Sequence, residues 1–472
     1  MHSSLSMSRR SLLRAGACLA LCALSPPGRA SPSAVREIRI VAAPTSAPLT
    51  GKGEVDVWAY GGQIPGSELR LRQGEPVRIV VENRLEQDTT VHWHGIRLPN
   101  AMDGVPGLTQ PPIRPGESFV YEFTPPDAGT FWYHPHANSL EQLGRGLAGA
   151  LIVDEAEPIP VDRDLLWVLA DWRIDESGQI WPGFGNMMEA GMSGRVGNTV
   201  TLNGAVPADQ PVRAGERIRL RLLNSSLARI MALRLEGHDP VIIARDGQPC
   251  DPHVIEGGRL LLGPAMRVDL LIDMQGEPGR RYQVTDEFYE GLGYELTGFA
   301  YSNELALRTT ALDPLRLLPN PLSEPDLANA LRHELTLEGG MMSLMMGGGM
   351  MHGMRGMSGM GQAVWSINGT SMTGDGHAGM KPLFALEREG SHLITIRNQT
   401  RWWHPMHLHG FSFRVLTRNG SSVPHNQWAD TVLLAPEDAV EIAFVADNPG
   451  DWMLHCHVTD HQMAGLMTVL RV

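Results

Sequence analysis

The sequence predicts an all-β protein built from three consecutive β-sandwich domains. Short runs of alternating apolar and polar residues, bounded by Gly, Pro and Asn, recur along the chain, for example at 76–82, 217–223 and 392–397. A length of 472 residues suits about three sandwiches of roughly a hundred or more residues each. The predicted domain limits are 36–155, 160–310 and 330–472.

An internal repeat supports this division. Asn83 lies nine residues before His92, and Asn398 lies nine residues before His407. The pattern His-x-His-Gly therefore recurs at matching places in the first and third domains. Repeats of whole-domain length indicate duplication rather than a solenoid.

Two further alignments extend the repeat. Segments 123–136 and 444–457 align without a gap, and both end in His-x-His. In the middle domain Asn224 lies nine residues before Leu233, and leucines occupy both histidine positions, Leu233 and Leu235. The middle domain is predicted to keep the fold without binding metal.

Segment 455–461, which reads His-Cys-His-Val-Thr-Asp-His, is the most informative part of the chain. In a strand, alternate side chains point to opposite faces, so Cys456 faces one way while His455 and His457 face the other. One segment is thereby able to contact two metal centres. Thiolate and imidazole are the ligands of an electron-transfer copper site, although the same residue types also bind zinc.

Three other histidine clusters strengthen the prediction of metal binding. A single His-x-His pair is weak evidence, but four clusters use ten of the eighteen histidines. The other clusters are His92 with His94, His134 with His136, and His404 with His407 and His409. The remaining histidines of the mature domains that lack ligand spacing are interpreted as surface or core residues: His238, His253, His333, His392 and His425.

These four motifs, their order and the middle domain without histidine ligands resemble the three-domain multicopper oxidases, which include laccases, ascorbate oxidases and bacterial copper-efflux oxidases. The resemblance covers essentially the whole mature chain. It implies cupredoxin-like Greek-key domains and four copper ions, one of type 1, one of type 2 and a binuclear type 3 pair. It also implies that the first and third domains build the trinuclear site together.

The resemblance implies a role for each ligand. The type 1 copper would be held by His404, Cys456 and His461, and the type 2 copper by His92 and His407. The type 3 pair would be held by His94, His134 and His457 and by His136, His409 and His455. Asp103 matches an acidic residue that relatives use in proton delivery, whereas the residues alone indicate an ordinary Asp-Gly turn.

The chain departs from efflux relatives beside the type 1 site. Leu466 occupies the place of a weak axial methionine, which predicts a three-coordinate copper of higher reduction potential. Met463 and Met467 flank this position and are predicted to miss the axial direction. Gln462 replaces a glutamate that helps to deliver protons, so this chain lacks that proton carrier.

A methionine-rich insert occupies 341–380. Residues 341–360 contain nine methionines among glycines, and Met372, Met380 and His377 follow. Because thioether sulfur prefers Cu(I), the insert is interpreted as a copper-collecting flap over the type 1 site that binds additional Cu(I). The alternative is a flexible low-complexity loop.

Laccase-like oxidation of phenolic compounds, with dioxygen as acceptor, is the preferred functional prediction. Leu466 favours a high potential, and Trp402 and Trp403 before His404 suit an organic ring. Oxidation of Cu(I) or another metal ion, for copper tolerance or manganese oxidation, is the alternative because of the methionines. A non-enzymatic cupredoxin scaffold would lack the ligand histidines, and a copper nitrite reductase would have two domains.

The amino terminus predicts export to the periplasm. Residues 1–30 resemble a twin-arginine signal peptide, with Arg9 and Arg10 before an apolar run that is too short to span a membrane. Cys18 and Cys22 would leave with the signal. With Cys456 on copper, no disulfide is expected and Cys250 is interpreted as a buried thiol.

The formal net charge is −13, which disfavours a nucleic-acid partner and mildly favours metal cations. Simple solubility explains most surface carboxylates equally well. The oligomeric state is not predicted.

Overall fold

The computed structural model describes residues 35–310, 312–341, 363–374 and 377–472. The predicted signal peptide and most of the methionine-rich insert lie outside these residues. The prediction of an all-β protein is confirmed, because strands in six sheets dominate the described chain. Among the residues described, no helix is long and apolar enough to cross a membrane.

The first pair of sheets is built from residues 36–154. Its sheets have the strand orders β2-β1-β4-β6 and β3-β8-β7-β5. The strands are β1 (Arg36–Ala47), β2 (Val55–Tyr60), β3 (Gly66–Arg72), β4 (Val77–Asn83), β5 (His92–His94), β6 (Ser118–Phe123), β7 (Gly129–His134) and β8 (Gly149–Asp154). A 3-10 turn at Asn100–Met102 and a helix at Ser139–Gly144 join them.

The second pair of sheets is built from residues 163–301. Its orders are β10-β9-β12-β17-β14-β15 and β11-β19-β18-β13-β16. The strands are β9 (Arg163–Trp172), β10 (Thr199–Leu202), β11 (Gln210–Val212), β12 (Arg217–Asn224), β13 (Met231–Leu235), β14 (Val241–Arg245), β15 (Gln248–Val254), β16 (Leu260–Leu262), β17 (Arg267–Asp273), β18 (Arg281–Asp286) and β19 (Tyr294–Tyr301). A short helix at Met187–Ala190 and a 3-10 turn at Glu256–Gly258 interrupt them.

The third pair of sheets is built from residues 331–471. Its orders are β21-β20-β23-β29-β25-β26, with β27 also on β25, and β22-β31-β30-β24-β28. The strands are β20 (Leu331–Gly339), β21 (Trp365–Ile367), β22 (Phe384–Ala385), β23 (Ser391–Asn398), β24 (His404–Leu408), β25 (Phe413–Arg418), β26 (Ser421–Ser422), β27 (Trp428–Ala429), β28 (Thr431–Leu434), β29 (Ala439–Val445), β30 (Asp451–Cys456) and β31 (Met467–Arg471). A helix at Thr459–Met463 follows β30.

The repeated asparagine has the same structural role in all three regions. Asn83, Asn224 and Asn398 end β4, β12 and β23, and each donates two side-chain N–H bonds to backbone carbonyls. Each also accepts a bond from the backbone N–H two residues later. An asparagine that satisfies three buried backbone groups fixes the turn into the next strand. The shared turn is consistent with the constant interval of nine residues from each asparagine to His92, Leu233 and His407.

Each region has its own apolar core. One core joins residues from Ile40 to Val153, another joins Trp167 to Tyr301, and a third is centred on residues from Leu335 to Leu470. Three separate cores support the domain limits predicted from the sequence, which we retain as a proposal.

Candidate metal centres

Strand β30 separates two buried environments. Trp452, Leu454 and Cys456 pack into the C-terminal core, whereas Met453 lies in a different cluster on the other face. His455 follows Met453 on that second face. The strand therefore directs a thiol into one site and an imidazole into another.

The first site consists of His404, Cys456 and His461, all fully buried. The Cys456 Sγ lies 3.5 Å from His404 Nδ1 and 3.8 Å from His461 Nδ1, and the two Nδ1 atoms are 3.2 Å apart. Strand pairing places Cys456 opposite Met406 on β24, and the helix after β30 returns His461 to the same place. Two of the three donors come from segment 455–461, and the third comes from β24.

Hydrogen bonds at the far side of each ring orient this site. His461 donates from Nε2 to the Met192 carbonyl at 2.8 Å, which leaves Nδ1 with its lone pair. His404 Nε2 lies 2.8 Å from Thr400 Oγ1. Burial lowers the pKa of His404 well below its usual range and that of His461 to about 3, which favours the neutral form of both rings.

The Cys456 thiol, in contrast, must be deprotonated to bind a metal ion. Burial raises its pKa well above the ordinary value, so the bare protein favours the protonated thiol. A thiolate here needs a cation in direct contact, which a soft metal ion supplies. The donor set fits copper.

The second site contains eight buried histidines from both ends of the chain. On β5 and β7, His92 is directly opposite His134, and on β24 and β30, His407 is directly opposite His455. Rings from the N-terminal strand pair then stack on rings from the C-terminal region of the chain. His92 stacks on His409 with ring centroids 3.9 Å apart, and His94 stacks on His407 at 3.6 Å.

The other rings complete the same group. His136 lies 5.2 Å from His455 and His134 lies 5.1 Å from His457, both between ring centroids. Nitrogens of His136, His409 and His455 lie within 4.8 Å of one another, as do those of His92, His94 and His134. The eight histidines predicted as ligands of the trinuclear site thus lie in one buried group.

Several of these ring nitrogens have no hydrogen-bond partner among the described residues. They are His92 Nε2, His407 Nε2 and both ring nitrogens of His136 and His457. Buried polar atoms are nearly always paired, so such a concentration of unpaired nitrogens indicates metal ligands. Burial also lowers the pKa of His94, His134, His136, His409, His455 and His457 well below the usual range.

Asp103 holds two of these rings. Its Oδ2 accepts a hydrogen bond from His409 Nδ1 at 2.9 Å, and its carbonyl accepts one from His92 Nδ1 at 2.8 Å. The next residue, Gly104, has φ +86, and a Cβ there would lie 1.9 Å from the Val91 carbonyl oxygen. Glycine at position 104 is therefore required by a close backbone approach, and the Asp103 carboxylate before it lies within the histidine group.

Asp430 is a contact that the sequence analysis missed. Its carbonyl accepts from His407 Nδ1 at 2.9 Å and its Oδ1 lies 3.1 Å from His94 Nε2. Arg267 donates to the same carboxylate at 2.9 Å. Burial alone would raise the pKa of the Asp430 carboxyl. The Arg267 guanidinium beside it holds that pKa below its ordinary value. The only sequence signal was one acidic residue within the apolar run 428–434.

Four side chains that follow Cys456 in the sequence lie in different environments. Leu466 is buried in the core that contains Cys456, and its carbonyl accepts the Cys456 N–H at 2.9 Å. Met463 packs against another cluster and its Sδ lies 3.8 Å from Ser139 Oγ. Met467 lies with Met453 on the opposite face. Gln462 is buried, and its Nε2 has no partner among the described residues.

A segment from the middle of the chain covers His461. Asn186 caps the helix Met187–Ala190, and the Ala190 carbonyl accepts from Trp365 Nε1 at 2.7 Å. Met188 and Met192 on this segment are 58% and 38% exposed. No periodic pattern in the sequence marks these methionines, because the contact between their segment and His461 depends on tertiary packing.

Comparison with known proteins agrees with this arrangement. Three family models described as multicopper oxidase match residues 42–158, 163–298 and 357–472. Multicopper oxidase MmcO of Mycobacterium tuberculosis is 30% identical over 98% of this chain and 96% of the relative. Copper resistance protein A of Escherichia coli is 30% identical over 58% of this chain and 51% of the relative.

The solved structures include a similar protein. The crystal structure of a multi-copper oxidase from Pseudomonas thermotolerans has 34% sequence identity and a TM-score of 0.82, and the alignment covers 93% of this chain and 99% of that chain.

Proposed function

The chain belongs to the multicopper oxidase family, and from that premise we propose that it couples one-electron oxidation of a reducing substrate to the four-electron reduction of dioxygen to water. As a family member it is a copper-containing oxidoreductase with dioxygen as acceptor. The observation that carries the proposal is that two buried donor groups, one containing Cys456 and one containing eight histidines, meet at β30. Bound copper would supply the redox chemistry.

We propose the following ligand sets. His404, Cys456 and His461 would hold type 1 copper, and His92 and His407 would hold type 2 copper. The type 3 pair would be held by His94, His134 and His457 and by His136, His409 and His455. The contacts of the two donor groups support these sets, with Leu466 offering no fourth donor.

The chain itself links the two groups. Cys456 is bonded through the backbone to His455 and His457. The thiolate that would receive electrons is therefore a few covalent bonds from two histidines of the second site. Strand pairing between His407 and His455 fixes this link. An electron would therefore cross a short and rigid path through the protein.

Hydrogen bonds from the histidine rings to two aspartates orient the second site. Asp103 and Asp430 accept from histidine Nδ1 or Nε2 atoms, which directs the opposite ring nitrogens toward the centre. We propose that Asp103 also moves protons, since its carboxylate lies within the histidine group. Gln462 has no acidic proton and offers no second route.

For the reducing substrate, the chain presents two alternatives. Leu466, Trp402 and Trp403 predict a phenolic compound. However, the His461 ring is buried and its Nε2 hydrogen is bonded to Met192, so an organic hydroxyl has no free ring edge to contact there. Met192, whose backbone carbonyl accepts from this ring, and Met188 on the same segment expose thioethers that suit a soft cation. The geometry therefore favours Cu(I), with a phenol as the second candidate.

Copper content and oxygen consumption test the proposal. Four coppers per chain and a strong blue thiolate absorption are expected, and Cys456→Ser should lose the blue band. Oxygen uptake is then compared with Cu(I) and with a diphenol as reductants. A protein with full copper that consumes no oxygen with either reductant would contradict the proposal.

We also propose that residues 1–30 direct twin-arginine export to the periplasm, and that segment 341–380 collects copper. Replacing Arg9 and Arg10 by lysine should remove the blue protein from the periplasmic fraction. Deleting residues 342–362, which lie outside the described part of the chain, should slow turnover of Cu(I) but not of a diphenol. A deletion that slows both equally contradicts the copper-collecting role.

A further inference from the structure

Four methionines gather on the face of β30 that is opposite Cys456. Met453 and Met467 are fully buried and pack with Val105, and the partly buried Met372, Met380 and Leu108 complete the cluster. We call these four methionine side chains the methionine cluster. Met372 and Met380 were predicted to belong to a flap over the type 1 site, and they lie in this cluster instead.

The methionine cluster adjoins the second histidine group. Met467 on β31 is directly opposite His455 on β30, and Met453 precedes His455 by two residues on the same face. Directly opposed residues on one face have Cβ atoms about 5 Å apart. Two thioethers therefore flank His455, whose ring lies 5.2 Å from His136 and from His409.

His377 adds a nitrogen donor to this neighbourhood. It donates from Nδ1 to the Pro106 carbonyl at 3.2 Å, and the Met380 N–H bonds to the His377 carbonyl at 3.3 Å. A carbonyl can only accept, so His377 Nε2 carries the lone pair. That atom is buried and has no hydrogen-bond partner among the described residues. The His377 and His136 ring centroids are 6.0 Å apart.

The methionine cluster contains both partly exposed and fully buried residues. Met372, Met380 and Leu108 retain part of their exposure, whereas Met453 and Met467 have none. An ion that enters at the partly exposed methionines would pass neutral sulfur donors before it reaches His455. Thioethers bind Cu(I) and discriminate against hard cations such as Mg²⁺ and Ca²⁺.

We propose that the methionine cluster, with His377 Nε2, binds one Cu(I) ion and delivers copper to His136, His409 and His455. Delivery exchanges thioether donors for imidazole donors and requires no electron. The inference depends on the proposed function, because the histidine group must be the destination of the copper. A purely packing role would use the methionines as adaptable core residues and would bind no metal.

The test counts Cu(I) in the copper-loaded protein. The full chain is first loaded until its resident copper is complete and is then fully reduced, so that added Cu(I) is not oxidised by the resident copper. The reduced protein is titrated without oxygen with Cu(I) supplied as its bicinchoninate complex. The variant is Met453→Leu with Met467→Leu, which removes two sulfur atoms at nearly constant volume. The matched control is Met231→Leu, a buried methionine in the middle core.

The double variant is expected to retain about one Cu(I) fewer than the wild type and the control, with less sulfur scattering in the X-ray absorption of the added copper. An unchanged Cu(I) count overturns the proposal. If the double variant fails to fold, Met372→Leu with Met380→Leu gives the same test at partly exposed positions.

A second measurement tests delivery. Copper-free protein is supplied with limiting Cu(I), and samples withdrawn over time are freed of unbound copper and exposed to dioxygen. Total bound copper is then measured together with the blue absorption of the oxidised type 1 site. The double variant should fill the type 1 site at the wild-type rate and the remaining sites about tenfold more slowly. Equal filling rates overturn the delivery role. Incomplete resident copper in the wild type would instead contradict the proposed function, so the two failures are distinguishable.

Discussion

Asp103 and His409 lie 306 positions apart in the chain and are joined by a 2.9 Å hydrogen bond between Oδ2 and Nδ1. The backbone carbonyl of Asp103 also holds His92. One residue of the first region thus orients a ring from its own region and a ring from the third. This contact ties the assembly of the histidine group to the packing of the two ends of the chain.

Asp103→Asn is expected to separate copper binding from dioxygen reduction. The amide oxygen can still accept from His409 Nδ1, so copper content and blue absorption should stay near wild type. The amide cannot take up and release a proton, and we expect kcat to fall by about 10² or more. Steady-state oxygen consumption with copper analysis measures this.

Asp103→Ala is the companion variant. It removes the acceptor and should weaken copper binding at the second site by about tenfold to a hundredfold. If Asp103→Asn retains the wild-type kcat, the proton role is wrong and Asp103 only positions His409.

Arg267 is expected to be essential for stability through Asp430. Both side chains are fully buried, so Arg267→Met leaves a carboxylate without its cation beside His94 and His407. Loss of one partner from a buried pair costs about 3–5 kcal/mol. Denaturant unfolding of the copper-loaded protein measures the change in the free energy of unfolding.

An exposed ion pair provides the control for that experiment. Arg401 and Glu437 lie 2.7 Å apart with side chains 68% and 69% exposed. Arg401→Ala should cost at most about 1 kcal/mol. Equal effects of Arg267→Met and Arg401→Ala would refute the buried role of Arg267.

The contrast between Asp103 and Asp430 shows what the sequence can predict. Alternation along β30 predicts that Cys456 and His455 face opposite ways, and repeated His-x-His spacing marks histidines that lie together in the structure. These features are local and depend on strand geometry. Asp430, Arg267 and the segment Met187–Ala190 reach the sites through contacts between distant regions, and no periodic pattern records such contacts. His377 was noticed for its neighbours in sequence, whereas its place beside His136 depends on the loop that contains Pro106.

Leu466→Met is expected to lower the reduction potential of the type 1 copper. Leucine offers no donor, whereas a thioether at this buried position can approach the metal that His404, Cys456 and His461 would hold. The exchange conserves volume and should change stability by less than about 1.5 kcal/mol. Redox titration of the blue band measures the potential.

Leu337→Met is the matched control, since Leu337 is fully buried in the same core but lies on β20. Its potential should equal that of the wild type. A potential that rises or stays constant in Leu466→Met would show that this side chain does not face the axial position.

The two candidate substrates can be distinguished at the segment over His461. Met188→Leu with Met192→Leu removes two exposed thioethers but keeps the backbone carbonyl that accepts from His461 Nε2. If Cu(I) is the substrate, kcat/KM for Cu(I) should fall by about tenfold, the lower range for losing a partner of a metal site. Turnover of a diphenol should change much less, because an organic ring gains little from thioether sulfur.

Met231→Leu again serves as control, and oxygen uptake with each reductant gives both ratios. A parallel loss with both reductants would mean that the segment only shapes the site, and a loss confined to the diphenol would favour the phenolic substrate.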